Sequence, residues 1–292
     1  MKSKVILIVL GIITLFSCGK KDSAKLIDNT TGKEVNIKVN KFEDVLFDQN
    51  QKDFKAHLQK NFSLYKPLFN TTLEDEEYFQ MINQFASDTV MISIYNKVKK
   101  RYPNLDWVGD DITQGFARLK TYYPELPIPN LYTLIIGLDD FSYAYNSRII
   151  ATRDFISIAI DLYSIKSFGE KHYYSYFPKY MQNVLDSNYL TPDVFYTYLR
   201  EVATIEVPLV EENPSPSLLE IMVERGKYLY AVKELLPSYE LKDVLRYSQE
   251  EMKWAQENEY NIWSYLTQNR LLFEKDRTKY MGFITEGPTT RG

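Results

Sequence analysis

The sequence is poor in the residues that most often carry chemistry, with 1 cysteine and 2 histidines among 292 residues. A single thiol excludes an intramolecular disulfide. His57 and His172 stand far apart and in different contexts, which removes a multi-histidine zinc site as the default. Glycine is scarce as well. There is no Gly-rich phosphate loop, no Gly-x-Ser-x-Gly elbow, no Cys-His pair and no EF-hand pattern. Excess positive charge is missing too: the net charge is -4 and the pI about 5.5, so no global field draws the chain to nucleic acid or to an anionic membrane surface. The densest basic run, Lys97, Lys99, Lys100 and Arg101, reads as a solvated helix end. Long apolar runs are likewise absent. Val5 to Phe16 is well short of the roughly 20 residues a spanning helix needs.

That short run has a different use. Lys2 and Lys4 precede it and Leu15-Phe16-Ser17-Cys18 follows, the layout of a cleaved export signal over residues 1–17. Its form resembles a bacterial lipoprotein signal, which implies that Cys18 is acylated, palmitate included, and becomes the N-terminus. An ordinary secretory signal with a chance cysteine is the alternative. Each buried methylene contributes about 0.8 kcal/mol, so several acyl chains anchor a protein stably. Residues 18–33 are polar and lack an apolar period, as expected of a flexible tether. The expected location is the cell envelope, facing the periplasm, with the outer membrane preferred to the inner.

What is present is a large apolar and aromatic content, 45% and 15% of residues, enough for a sizeable core. Alternation over Glu34 to Phe42 predicts a strand. Phe54, Leu58, Phe62 and Tyr65 share one helical face, Thr72 reads as the cap of a second helix, a third runs from Asp88 to before Pro103, and a fourth from about Asp106 to Tyr123. These form a helical layer over about residues 48–123. Beyond Pro124, Pro127 and Pro129, Leu131 to Leu138 and Phe155 to Tyr163 predict buried strands with turns at Asn146-Ser147 and Arg153-Asp154. The aromatic stretch Gly169 to Tyr180 is open to two readings, a packed insertion or a cleft wall.

Thr191 reads as the cap of a helix that has Pro192 at its first position, continues to Val207 and is stopped by Pro208. A capping box, Ser217 with Glu220, opens a helix to Leu236 whose inward face is read as Leu219, Met222, Val223, Gly226 and Tyr230. Ser248 with Glu251 opens the last, with Met252, Ala255, Ile262, Trp263 and Leu266 as its stripe. The class is α+β, mainly helical with a small β-sheet, as one globular domain over 34–292 whose sheet and second helical part occupy about 130–292.

The two predicted strands, the helix carrying Arg200-Glu201-Val202-Ala203-Thr204 and the helix carrying Leu219 to Lys227 together resemble the gliding-motility lipoprotein GldB family. Lys41 to Phe47, Ile158 to Tyr163, Tyr176 to Tyr180, Trp254 and Ile262-Trp263 add to the likeness, which covers most of residues 36–288. The order of strands and helices is similar to that of related predicted zinc-dependent proteases of the gluzincin type, and implies a degenerate zincin-like architecture. The resemblance also implies a further segment rich in Trp and Gly after Gly287 to Thr290, where this sequence ends at Gly292.

In a gluzincin, His-Glu-x-x-His sets two ligands on one helix face around a general base, and the next helix supplies a third ligand. The resemblance places Arg200 and Thr204 at the histidine positions, Glu201 at the base and Glu224 at the third ligand. A guanidinium has no lone pair to donate, so the implied protein is not an enzyme and has no metal and no cofactor. Arg200 is then expected to pair in the interior with Glu224, and also with Glu201; an ordinary exposed helix is the competing reading. The resemblance implies a non-catalytic, lipid-anchored envelope protein of the Bacteroidota. Its expected partners are the membrane, through Cys18, and other envelope proteins of gliding or secretion, with no nucleic acid. Two alternatives stand beside it: an active metal-dependent hydrolase using Asp139, Asp140 and Glu201, and a purely structural lipoprotein.

Overall fold

The computed structural model describes residues 35–48, 50–69, 71–137, 148–168, 185–203 and 215–284. Cys18, Asp139, Asp140, His172, Thr204 and the stretch Gly169 to Tyr180 lie outside them. A short strand β1 (Val39–Lys41) leads directly into α1 (Phe42–Leu46), where sequence alternation predicts a longer strand. Then come α2 (Phe54–Tyr65), α3 (Glu76–Ser87), α4 (Thr89–Arg101) and α5 (Asp106–Tyr122). Asp53 caps α2 and Asp88 caps α4, each accepting from a first-turn backbone N–H. The cap of α3 is Asp75, which accepts from the Tyr78 N–H, rather than Thr72.

The sheet has the order β1-β2-β4-β3, with β2 (Asn130–Leu134), β3 (Ile149–Ala151) and β4 (Phe155–Ala159). β1 pairs parallel to β2 and β2 parallel to β4, while β3 folds back antiparallel on β4. Parallel neighbours need a long crossover, and the whole helical layer α1 to α5 supplies the one between β1 and β2. Both apolar runs are strands as expected but shorter. After Ala159 the chain turns into a 3-10 segment, Leu162–Ser167. β3 escapes sequence reading because three residues carry too little alternation; its turn is closed by Thr152, whose hydroxyl accepts from the N–H groups of Asp154 and Phe155.

The second helical part is α6 (Ser187–Glu201), α7 (Leu218–Leu235), the single turn α8 (Leu241–Val244), α9 (Gln249–Gln268) and α10 (Arg277–Ile284). Both expected capping boxes, at Ser217 and Ser248, are formed. The inward face of α7 is a different one from that predicted. Leu218, Ile221, Val232 and Leu235 are buried, whereas Val223 and Tyr230 are exposed. Apolar residues surround this helix, so periodicity cannot select a face and packing does. α9 keeps only Leu266 of its stripe buried, with Ile262 and Trp263 at the surface.

The main core lies between the sheet, α4, α5 and α6, with Ile112 and Phe116 fully enclosed. Gly115 lets α5 approach α6, since a Cβ there would stand 2.2 Å from the Phe195 ring. A second, smaller cluster joins the start of α7 to the end of α9 and to α10 through Leu218, Ile221, Leu266, Tyr280 and Ile284. α7 spans both clusters.

Candidate docking surface around α6 and α7

α6 starts four residues before the expected cap. Asp186 caps it by accepting from the Asn188 N–H, which leaves Thr191 and Pro192 inside the helix and buried. A local signal of the right type stands at both places; the earlier one captures the helix and packing accommodates the proline.

The next residue, Asp193, is 2% exposed. Its Oδ1 accepts from Arg246 Nε at 2.5 Å, and its Oδ2 accepts from Arg148 Nε at 3.2 Å and from the Tyr163 hydroxyl at 2.7 Å. Burial, and then the charge of Asp193, push the Tyr163 hydroxyl well above its ordinary pKa, so it stays a donor at every physiological pH. The Tyr163 carbonyl in turn accepts from the Tyr102 hydroxyl at 2.8 Å. Arg246 has φ 57, a left-handed conformation that costs a non-glycine residue about 1 kcal/mol or more. One carboxylate thus ties α6 to the β3 edge, to the 3-10 segment and to the turn after α8. Sequence reading missed all four residues, because the only local sign is a lone aspartate on an otherwise apolar helix face.

This anchor fixes a surface. Arg246 lies 5.9 Å from the centre of the Tyr196 ring, and Arg200, one turn further along α6, lies 5.8 Å from the same ring. Tyr196 meets Tyr228 of α7 edge-on at 6.1 Å. Glu224 stands one turn before Tyr228 on α7 and is half-buried.

The structure therefore brings Arg200, Glu201, Tyr196 and Tyr228 to one region with Glu224 a turn away. Arg200 pairs with its neighbour Glu201, Nη2 to Oε1 at 2.5 Å, with the side chains 53% and 47% exposed. The expected interior pair is a surface pair. α6 itself ends at Glu201: Val202 is its C-cap, and the Ala203 N–H reaches back to the Tyr198 carbonyl at 3.1 Å instead of continuing the ladder. α6 thus ends short of the Val207 predicted, and Thr204 lies outside the described residues. Among the described residues no three of His, Cys, Asp and Glu gather as a metal set.

No described helix is long and apolar enough to cross a membrane. Comparison with curated proteins and with solved structures gives no match. A family model described as gliding motility protein GldB matches residues 23–292, nearly the whole chain, and so the chain belongs to the GldB family of gliding-motility lipoproteins.

Proposed function

We propose that this protein is a non-catalytic, lipid-anchored envelope component that holds other proteins of the gliding and linked secretion machinery, docking through the last turns of α6 and the middle of α7. Family membership carries the gliding part of this reading. The docking part rests on residue types: Arg200, Tyr196 and Tyr228 are of the kinds that dominate interface energetics, and the buried Asp193 anchor ties down α6, which carries the first two. In this reading the surface descends from a metallopeptidase cleft whose two histidine positions are Arg200 and Thr204, with Glu201 and Glu224 remaining. Acylated Cys18 and the tether hold the domain at a periplasm-facing membrane surface.

The test uses a strain lacking the gene. The wild-type chain restores colony spreading, whereas a chain carrying Arg200→Glu and Tyr228→Ala, present at equal level in the membrane fraction, does not. Purified protein incubated with zinc is expected to retain no stoichiometric metal and to cleave no peptide. Bound metal together with turnover would replace docking by catalysis.

A further inference from the structure

A groove of about 670 Å³ opens where the end of α4, the starts of α5 and α6, and α8 meet. It lies at the opposite end of α6 from Arg200, so it plays no part in the docking surface. Its volume is in the range of small-molecule sites. No leucine, isoleucine or valine lines it. Its non-polar lining residues are Tyr102, Trp107 and Tyr239 with Pro103, and the rest are polar or charged. Two of these rings are pinned from behind: the Tyr102 hydroxyl donates to the Tyr163 carbonyl, and the Tyr239 hydroxyl donates to Asp111 Oδ2 at 2.5 Å.

The two cations differ in what they have left to offer. Lys242 is matched by Asp243 at 2.8 Å and Glu240 at 3.7 Å. Arg101 lies 5.3 Å from the Tyr102 ring and makes no ion pair with a carboxylate of the described residues, so among these no anion is bound to its five N–H donors. The positive end of α6 adds to the same side, offset in part by its cap Asp186.

A lining of aromatic residues without leucine, isoleucine or valine does not suit an acyl chain or a leucine-rich peptide. They suit a ring that is apolar on its faces and polar at its rim. Electropositive C–H bonds meet the negative faces of indole and phenol, while hydroxyls meet amide groups such as Asn104 and Asn188. We propose that this groove binds a saccharide bearing one acidic group, with Trp107 and Tyr239 against the sugar ring, Asn104 and Asn188 on its hydroxyls, and Arg101 on the carboxylate or phosphate. Arg101, the last residue of the basic run, then has a use beyond solvation.

Saturation-transfer NMR on the full chain, held in a detergent without sugar headgroups, tests this. Methyl glucuronide and glucose 6-phosphate, representing the two sources of acidity, are titrated beside neutral methyl glucoside. At least one acidic sugar is expected to bind saturably and about tenfold tighter than the neutral one, the size of one charge-assisted hydrogen bond. Arg101→Gln, a change at an exposed position, removes that advantage and leaves the neutral sugar's affinity as it was; Trp107→Leu weakens all three. Equal affinity for acidic and neutral sugars, an advantage that survives Arg101→Gln, or no saturable signal from any of the three overturns the proposal.

Discussion

Arg246 donates to the buried Asp193 at 2.5 Å, although 53 residues separate them in the chain. The pair couples α6 to the turn after α8, and Arg148 completes it from the sheet edge. A buried carboxylate shared by two guanidiniums is near neutral for stability when intact and costly when broken, because truncation leaves charge behind.

Asp193→Asn is therefore expected to lower unfolding free energy by about 3 to 5 kcal/mol, read by urea titration. Arg246→Gln costs less, since Arg148 and Tyr163 still engage the carboxylate. The double variant falls short of the sum of the two, as residues sharing one network do.

Glu43 provides a pH-dependent term. It is 1% exposed, its carboxyl oxygens each 2.9 Å from the Thr133 hydroxyl, and burial raises its pKa to about 7. A raised acid pKa means that the folded chain holds the proton longer than the unfolded one. The stabilisation is complete below the unfolded value near 4.5, is lost progressively as pH rises from there to about 7, and is constant above. Between pH 4.5 and 8 the loss amounts to about 3 kcal/mol. Glu43→Gln keeps a partner for Thr133 and removes the titration, so the variant gains on wild type by that amount at pH 8 relative to pH 4.5 in parallel urea titrations.

Gly115→Ala would ordinarily favour a helix, by up to about 1 kcal/mol. Here the new methyl meets the Phe195 ring, and the net effect is a loss of about 1 to 3 kcal/mol. Adding Phe195→Leu makes room and recovers part of it. Thermal denaturation of the two single variants and the pair distinguishes a steric clash from a change in helix propensity, because only a clash is relieved by the second substitution.

Arg200→Ala separates a surface pair from an interior one. With both side chains about half exposed, the Arg200–Glu201 contact is expected to contribute under about 1 kcal/mol. A loss of several kcal/mol on chemical denaturation would instead indicate the interior pair that the gluzincin comparison implies.

Local chemistry was legible where it acts within a turn. Asp88, Ser217 and Ser248 each start a helix at the expected residue because a side-chain oxygen satisfies an N–H two or three positions on, whatever the rest of the chain does. The two apolar runs became the central strands β2 and β4 for a comparable reason: a run that is apolar on both sides has to be covered on both sides. The scattered GldB-like residues were likewise legible without the fold.

Folding in three dimensions decided the rest. Asp186 and Thr191 are both competent caps, and only the packing of Leu190, Thr191 and Pro192 against the core selects the earlier one. The face that α7 buries, the early end of α6 at Glu201, and the meeting of Asp193 with Arg148 and Arg246 depend on contacts tens of residues apart in the chain. Sequence alone determined where the longer helices and the two central strands form, since propensity and capping are short-ranged; tertiary structure decided which charged groups share one buried site, since burial makes a charge choose its partner and burial exists only once distant segments have packed.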